Sequence, residues 1–315
     1  MLRAIQFVIR GTRYLRRCKK TNQTKIMKIT RHAPNVHTFD CEGKEAEFLL
    51  ISDLHWDNPK CDRELLSKHL KEAVERNAYI IINGDFFCLM QGRADPRRAK
   101  NEIRPEHNQC NYLQAVVNDA VQWFKPYAKH IALIGYGNHE TSVIRNVEFD
   151  ALQMFVTLLN HECGTDVQLG GYGGAILFGF AHIPNITNRT RFAMHYFHGS
   201  GGGGPVTKGV IQDQRIMAMV EGYDCTWQGH VHELYHHINI ITYLNRSDYM
   251  LRQRPLHQIR TATYKEEYDG GIGGFHVERG RPPKPLGGYW MKLKLTKIKK
   301  WQIIVTGKQI GRAHV

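Results

Sequence analysis

The sequence predicts an α/β protein, because short apolar runs rich in β-branched residues alternate with segments whose apolar residues recur at helical spacing. The clearest run is residues 79–87, where three consecutive isoleucines precede Asn83, a glycine and Asp85. The run is too short for an ordinary helix, so it predicts a strand buried on both faces. We therefore expect Asp85 at the carboxyl end of a strand, where open α/β sheets bind their ligands.

The composition is that of a globular protein. A chain of 315 residues with 42% hydrophobic content is long enough for one large α/β domain or two small ones. No apolar stretch reaches the roughly 18 residues that span a bilayer, so we expect no membrane partner. The seven cysteines form an odd set without a Cys-x-x-Cys pair. This pattern predicts reduced thiols and a cytoplasmic location.

The positive charge lies at the two ends of the chain. The net charge is +14, but residues 1–28 hold nine Lys/Arg and residues 291–315 hold seven, with no acid in either segment. The remainder carries 27 basic residues and all 29 acidic ones. The ends are therefore candidates for binding polyanions, whereas the body lacks the electrostatic footprint of a nucleic-acid-binding domain.

Three regions are expected along the chain. Residues 1–26 form a basic N-terminal arm whose Arg-rich, acid-free composition is shared by mitochondrial presequences and poorly ordered arms. Met27 begins more ordinary sequence, so an over-extended start, a targeting segment and a binding arm all stay open. Residues 27–300 are expected to form one domain. Residues 301–315 are expected to be a tail, the last of which resemble a translated sequencing adapter and are expected to be artefactual.

The first predicted unit is strand, helix, strand. Residues 46–51 predict a strand, and Asp62 predicts the N-cap of a helix that continues to about residue 77 with Leu66 and Leu70 on its apolar face. The strand that ends at Asp85 completes the unit. The Arg-rich passage 91–111 then predicts a loop or insertion.

The rest of the chain continues the alternation. Apolar spacing predicts a helix over 113–124 that Pro126 stops, and a second helix over 148–160. Further strands are predicted over 130–134, 191–197, 223–228, 259–263 and 289–295, with antiparallel strands over 167–183.

Five of the predicted strand ends carry polar side chains. These residues are Asp53, His55, Asp85, Asn138, His139, His198, His230 and His232. Any one of them is weak evidence, since a single histidine at a strand end is usually structural. Carboxylate, amide oxygen and imidazole together suit divalent manganese, iron, zinc or nickel, whereas an all-oxygen calcium cage is not indicated.

The order of these motifs is specific. Asp-x-His, Gly-Asp, Gly-Asn-His-Glu, His and Gly-His-x-His, over roughly residues 47–232, resemble the calcineurin-like metallophosphoesterase superfamily. The segments Gly-Asn-His-Glu-Thr-Ser and His-Gly-Ser-Gly-Gly-Gly-Gly look most like its phage and bacterial phosphoesterases. For a phage-encoded chain, the expected cytoplasmic location is the host cytoplasm. The resemblance implies a four-layer αββα sandwich of two mixed sheets, which the alternating strands and helices permit.

The resemblance also implies a dinuclear metal centre bridged by Asp85, with manganese favoured. One ion would be held by Asp53, His55 and His232, and the other by Asn138, His198 and His230. Two divalent ions about 3.5–4 Å apart clamp a phosphoryl group and supply a metal-activated hydroxide for attack on phosphorus. His139 would act as general acid or electrostatic stabiliser, and Glu140 would either orient it or make a structural hydrogen bond.

Several assignments stay open at this stage. His195 is an alternative to His198 as the ligand of the fourth motif. The glycines at 201–204 allow close backbone approach to a phosphate, or they form a mobile surface loop. Four arginines are candidate substrate contacts, namely Arg93, Arg97, Arg98 and Arg104.

The predicted function is hydrolysis of phosphate esters by a phosphodiesterase or nuclease, with nucleic acid as a candidate substrate. The alternatives are a phosphomonoesterase acting on proteins or small molecules, and a catalytically silent nucleic-acid-binding or scaffold protein. The sequence does not choose the substrate, the metals or the oligomeric state.

Overall fold

The computed structural model describes residues 27–89, 103–180, 191–268, 272, 275–278, 280–297 and 301–312. The basic arm 1–26 and the candidate substrate contacts Arg93, Arg97 and Arg98 lie outside the described residues.

The chain alternates strands and helices. In chain order the strands are β1 (Lys28–Ala33), β2 (Val36–Cys41), β3 (Glu45–Ile51), β4 (Tyr79–Asn83), β5 (Ile131–Gly135), β6 (Gln168–Leu169), β7 (Gly173–Phe180), β8 (Arg191–Phe197), β9 (Cys225–Gln228), β10 (Tyr235–Asn245), β11 (Met250–Arg260), β12 (Leu286–Lys297) and β13 (Trp301–Arg312). The helices are α1 (Arg63–Glu75), α2 (Tyr112–Phe124), α3 (Asn138–Val147), α4 (Ala151–Cys163), α5 (Val210–Met219) and α6 (Phe275–Glu278).

The strands form two mixed sheets. Over the described residues, one sheet has six strands in the order β13-β12-β3-β4-β5-β6 and the other has seven in the order β1-β2-β7-β8-β9-β11-β10. In the six-stranded sheet β3, β4, β5 and β6 run parallel, while β12 is antiparallel to both β3 and β13. In the seven-stranded sheet β9 is parallel to both β8 and β11, and β10 is antiparallel to β11.

Strand β4 is buried on both faces, as its three isoleucines predict. Ile80 and Ile82 belong to the apolar cluster between the six-stranded sheet and helices α1, α2 and α4. Ile81 points the other way, into the cluster between the two sheets, where Phe178 and Trp227 meet it from the seven-stranded sheet. The two clusters hold the helix layer and both sheets together, because apolar surface is removed from water on each side of β4.

Helix α5 supplies the fourth layer. On β11 the side chain of Ile259 lies between the sheets, whereas its neighbours Gln258 and Arg260 point to the outer face. There Gln258 accepts a hydrogen bond of 3.1 Å from Gln214 of α5, and Arg260 pairs with Asp213 of the same helix. The protein is therefore a four-layer αββα sandwich of two mixed sheets, in agreement with the predicted fold class.

The first two predicted helices are confirmed. The side chain of Asp62 accepts a 2.9 Å hydrogen bond from the backbone N–H of Leu65 and so caps α1. Helix α2 ends at Phe124, two residues before Pro126.

The third predicted helix, over 148–160, is displaced by three residues. Glu148 adopts a left-handed conformation with φ 56° and ends α3, so it cannot begin the next helix. Asp150 instead caps α4, because its carboxylate accepts a hydrogen bond from the backbone N–H of Gln153. Helix α3 was not predicted, since its first residues were expected only to follow the end of a strand.

Two further segments differ from the sequence-based expectation. The prediction of antiparallel strands over 167–183 is wrong in part, because β6 pairs in parallel with β5 and β7 belongs to the other sheet. The segment expected as a tail from residue 301 contains β13, which pairs with β12 from Trp301 to Arg312. In the described part of the chain, we find no helix with both the length and the apolar character needed to cross a bilayer.

Candidate metal centre

The sequence-predicted donors meet where the loops after five strands converge. Asp53 and His55 follow β3, Asp85 follows β4, Asn138 and His139 open α3 after β5, His198 follows β8, and His230 and His232 follow β9. Three of these strands belong to the six-stranded sheet and two to the seven-stranded sheet. The site therefore lies across one common end of the sandwich and depends on both sheets.

One group of donors consists of Asp53, His55 and His232. Their ligand atoms all lie within 4.8 Å of one another. The Nε2 atom of His232 is 3.4 Å from Oδ1 of Asp53. His55 is 2% exposed, and neither of its ring nitrogens has a hydrogen-bond partner among the residues described. Because an unpaired buried polar atom costs free energy, a ligand bound among these donors would stabilise His55.

A second group of donors surrounds Asp85. It consists of Asp85, His198 and His230, again within 4.8 Å of one another. Nε2 of His198 lies 3.3 Å from Oδ2 of Asp85 and 3.2 Å from the amide oxygen of Asn138. Asp85 also faces the first group, since its Oδ2 atom is 3.9 Å from Nε2 of His55. Asp85 thus lies between the two sets of imidazoles.

The backbone of the donor loops is strained. Five donors have φ between 45° and 67°, in the left-handed region that side chains rarely adopt, namely Asp53, His55, Asp85, His230 and His232. Such a conformation costs about 1–3 kcal/mol at each residue and persists only where surrounding contacts enforce it. Here the backbone N–H of Asp53 donates to Gly84 and that of His55 donates to Asp85, each over 3.0 Å. The loops therefore adopt strained conformations that turn these side chains towards one point.

Two glycines allow the loops to approach one another. A Cβ atom on Gly137 would lie 2.0 Å from Oδ1 of Asp85, and one on Gly84 would lie 2.4 Å from Nδ1 of His198. Gly84 also has φ 78°, which suits glycine. The glycines of the Gly-Asp and Gly-Asn-His motifs are thus required by packing around Asp85 itself.

The electrostatics of the site favour anionic carboxylates beside charged imidazole. Burial opposes ionisation of Asp53, but His198 and His232 lower its pKa to about 2. Burial likewise opposes ionisation of Asp85, yet His198 and His139 hold its pKa well below the ordinary value. Conversely, the two carboxylates overcome burial at His198 and raise its pKa to about 10. In the metal-free site the charge of His198 compensates the two buried anions, and a bound cation would take over that role once His198 has lost its proton.

His139 is fixed next to Asp85. Its backbone N–H donates to Oδ1 of Asp85 over 3.0 Å, and its ring Nδ1 lies 2.5 Å from the carbonyl oxygen of Cys88. Its Nε2 atom is 3.8 Å from Oδ2 of Asp85. With Nδ1–H donating to a carbonyl, Nε2 is the ring atom that faces the donor groups.

Glu140 has a structural role in the loops. Its two carboxylate oxygens accept hydrogen bonds of 2.8 Å from the backbone N–H groups of Phe87 and Gly137. Burial, reinforced by Asp85, raises its pKa to about 8 although both N–H groups act in the opposite direction. Of the two roles open from the sequence, the contacts match the structural hydrogen bonds, through which Glu140 ties the loop after β4 to the start of α3.

The structure places His198 at the site and His195 elsewhere. His195 lies on the opposite face of β8, where its ring makes an edge-on contact with Tyr223 at a centroid distance of 5.0 Å. Side chains three positions apart along and beyond a strand fall on opposite faces, so the two histidines cannot both reach the donors.

Of the other sequence candidates, Arg104 and the glycine loop are described, and the contacts recorded for them are with residues other than the donor side chains. Arg104 donates to the carbonyl oxygens of Asn58 and Cys61, at 2.8 and 3.4 Å, and so holds the loop before α1. In the glycine loop, a Cβ on Gly203 would meet the side chain of Val231, whereas Gly202 has open space around it. The loop therefore packs at one point against the segment that carries His230 and His232.

Two residues that position the site were not found from the sequence. The carboxylate of Asp57 accepts hydrogen bonds from the backbone N–H groups of Cys88 and Leu89, and from the hydroxyl of Tyr112, which fixes the loop after Asp85. Arg260 is fully buried and donates to the carbonyl oxygen of Gly229 over 2.5 Å. The Asp-Leu-His-Trp-Asp spacing was a possible signal for Asp57, whereas Arg260 has no motif of its own.

The donor set fits divalent transition metals. It offers two carboxylates, four imidazoles and one amide oxygen, which suit manganese, iron, zinc or nickel better than calcium. The unpaired nitrogens of His55 and the two buried carboxylates are the features that a cation would satisfy. These residues could therefore hold metal ions, with Asp85 able to face both groups.

Searches with protein-family models and of curated protein sequences give no match. Among solved structures, the chain is similar to a metallophosphoesterase from Sphaerobacter thermophilus, with 16% identity, TM-score 0.31, and coverage of 84% of this chain and 89% of that one. It is also similar to a predicted phosphoesterase from Streptococcus pneumoniae TIGR4, with 10% identity, TM-score 0.31, and coverage of 86% and 99%. A third is Vps29 of Chaetomium thermophilum, with 8% identity, TM-score 0.31, and coverage of 85% and 99%.

Proposed function

We propose that the protein is a metal-dependent hydrolase of phosphate esters. One observation carries this proposal: the Asp85 carboxylate lies between two groups of buried donors that come from both sheets. A carboxylate placed between two cation sites suits two-metal phosphoryl chemistry, in which two close ions act on the same phosphoryl group. In this proposal Asp53, His55 and His232 would hold one ion, Asn138, His198 and His230 would hold the other, and Asp85 could serve both.

When bound, two divalent ions would neutralise phosphoryl charge and activate water for attack on phosphorus. The protein's own residues then have distinct tasks. The neighbouring imidazoles lower the pKa values of Asp53 and Asp85 in the metal-free site, so both carboxylates are anionic at neutral pH and would serve as cation ligands, with His198 giving up its proton when a cation binds. His139 holds a proton on Nε2 for the departing oxygen, while the hydrogen bond from its Nδ1 to Cys88 fixes the ring. The hydrogen bond from the backbone N–H of His139 to Asp85 keeps the His139 ring next to the proposed cation ligands.

Phosphodiesters, including nucleic acids, are the first substrates proposed within this activity. Support comes from the Lys/Arg residues at the two ends of the chain. Part of the C-terminal charge is already paired, since Lys292 and Lys294 lie 2.9 and 2.8 Å from the carboxylate of Glu45. The N-terminal arm is thus the better candidate for contact with a polyanion.

The proposal is tested by assaying the purified full chain with manganese, nickel, zinc or iron. A chromogenic phosphodiester is compared with the matching phosphomonoester. We expect hydrolysis with at least one metal and a loss of at least about 100-fold in Asp85→Asn. His195→Gln is the matched control, because it changes an imidazole of β8 that lies outside the donor groups. No turnover with any metal, or equal turnover in wild type and Asp85→Asn, would contradict the proposal.

Two further measurements separate the alternatives. Tight metal binding by a folded protein that turns over neither ester would favour a silent binding or scaffold protein. A panel of single-stranded DNA, duplex DNA, RNA and cyclic nucleotides then defines the substrate class. Deletion of residues 1–26 should weaken nucleic-acid binding and leave hydrolysis of the small chromogenic ester unchanged, if the arm serves only to bind polyanions.

A further inference from the structure

A cysteine lies beside the candidate metal centre, and the proposed hydrolysis does not use it. Cys88 is three residues after Asp85 and 2% exposed. Its sulfur and the ligand atoms of His55 and His139 lie within 4.8 Å of one another. The three side chains are all buried. Within the described residues they form a set that contains a thiol, unlike the two groups around Asp53 and Asp85.

Hydrogen bonds fix the position of the Cys88 sulfur and of the backbone that carries it. The side-chain amide of Asn58 lies 3.3 Å from Sγ of Cys88 and can donate to it. The backbone on either side of the sulfur is fixed, because Asp57 accepts from the N–H of Cys88 and His139 donates to its carbonyl oxygen, each over 2.5 Å. A donor directed at sulfur stabilises the thiolate form, which is the form that binds metals.

The two imidazoles point to the same place. The ring centroids of His55 and His139 are 4.7 Å apart and their planes are nearly perpendicular. His55 is a buried side chain whose two ring nitrogens have no hydrogen-bond partner among the described residues. A ligand between the two rings and the sulfur would therefore satisfy a polar group that the fold leaves unsatisfied.

We propose that His55, Cys88 and His139 form a third cation site, which takes thiophilic divalent ions such as zinc or cadmium. Thiolate with imidazole is a donor set that selects these ions, and three protein ligands leave further positions for water. Binding replaces the thiol proton: the S–H bond breaks, the sulfur–metal bond forms, and the proton passes to solvent. Manganese, which prefers oxygen donors, should not compete for the sulfur.

The third site excludes the proposed catalytic arrangement. His55 also belongs to the group with Asp53 and His232, so a thiophilic ion at Cys88 removes one ligand from that group. It also occupies His139, the proposed proton donor. The inhibitory consequence rests on the proposed hydrolase function, whereas the existence of the site does not. Excess zinc or cadmium should therefore inhibit an enzyme that manganese activates.

The site itself is tested by spectroscopy on the full chain. The protein is titrated with cadmium, and sulfur-to-metal charge-transfer absorption is recorded, which reports thiolate ligation without any assay of activity. We expect Cys88→Ser and Cys88→Ala each to lose one equivalent of this absorption relative to wild type. Cys61→Ser is the matched control, because Cys61 is also buried and outside the donor groups. Equal absorption in wild type and both folded Cys88 variants would overturn the proposed site.

The consequence for activity is tested separately. With manganese present, added zinc should inhibit wild type and the Cys61 control at least about ten-fold more strongly than Cys88→Ser. Equal inhibition of all three proteins would overturn the inhibitory role. If wild type has no turnover with any metal, the hydrolase proposal fails, and the cadmium absorption still decides whether the third site exists.

Discussion

The ring of His198 is held between Asn83 and Asp85. Its Nδ1 atom lies 2.8 Å from the carbonyl oxygen of Asn83, and its Nε2 atom lies 3.3 Å from Oδ2 of Asp85. When a histidine donates one ring N–H to a backbone carbonyl, that hydrogen bond fixes the orientation of the ring and makes the other ring nitrogen more basic. The strand β4 therefore supplies both the carboxylate at its end and the carbonyl group that orients an imidazole from the opposite sheet.

This relationship predicts different effects of two substitutions on one strand. His198→Gln should lower metal affinity and hydrolysis by about 100-fold or more, because it removes a donor directed at Asp85. His195→Gln should leave both within about two-fold, since His195 lies on the other face of β8. Metal content after dialysis and steady-state kinetics provide the measurements. A larger loss in His195→Gln than in His198→Gln would show that the wrong histidine has been assigned.

The position of Asp85 predicts a difference in metal stoichiometry. Asp85→Asn removes the charge that faces both groups, so we expect it to weaken binding of both ions. Asn138→Ala removes one oxygen next to His198 and should weaken only the ion of the second group. Calorimetric titration with manganese should therefore give two sites in wild type and one retained site in Asn138→Ala. Equal stoichiometry in Asp85→Asn and wild type would refute the bridging role.

The buried pair of Arg260 and Asp213 predicts a large stability effect. Arg260 is fully buried and Asp213 is 2% exposed, so Arg260→Met leaves a carboxylate without its counter-charge. We expect the free energy of unfolding to fall by about 3–5 kcal/mol. Arg254→Met on the same strand should cost less than about 1 kcal/mol, because its pair with Asp224 is partly exposed. Urea denaturation of the two variants measures the difference, and similar losses in both would contradict this account.

Acid should destabilise the protein through His37. This side chain is fully buried, and neither ring nitrogen has a hydrogen-bond partner among the described residues. Burial, reinforced by Arg31 and His32, lowers its pKa to about 4. Between this value and the ordinary value near 6.5, the unfolded chain binds a proton that the folded chain does not. Stability from this group is therefore complete above about pH 6.5 and declines as the pH falls towards 4.

Replacing the group tests this pH dependence. In His37→Leu the slope of unfolding free energy against pH between 6.5 and 4 should be smaller than in wild type. His161→Leu, at an exposed position on α4, is the control and should retain the wild-type slope. Chemical denaturation at several pH values gives the slopes. An unchanged slope in His37→Leu would mean that His37 is already charged in the folded protein.

The elements with strong local signals were predictable from sequence. Helix α1 has an N-cap at Asp62 and buries Leu66 and Leu70 at helical spacing, so its start followed from local chemistry. Strand β4 followed from its isoleucines. Helix α3 was missed because its first residues are donors, and only Val143 among its apolar side chains is buried. The hairpin of β10 and β11 was missed because every β10 side chain is at least partly exposed, including apolar Ile238 and Ile240, so apolar residues do not mark a buried face of this strand.

At the site, donor types could be read from sequence but the contacts that fix them could not. Asp85 and His198 stood at predicted strand ends, where the topology of an α/β sheet places ligands. The choice between His195 and His198 required the register of β8, because a shift of one residue along a strand moves each side chain to the other face of the sheet. Arg260 reaches the loop of His230 only through the packing of β11 beside β9. Arg260 and Gly229 are 31 residues apart in the sequence, and no local sequence pattern predicts that they are in contact.

The spread of the donors along the chain has a consequence for folding. The backbone N–H of His230 donates to the carboxylate of Asp53, although the two residues are 177 positions apart. Contacts of such long range require closure of a large loop and therefore form late. We expect the ligands to come together after the transition state, so bound metal should slow unfolding far more than it speeds folding. Resistance to unfolding would then depend on metal supply, and the lifetime of the native chain would vary with the free concentration of the ion.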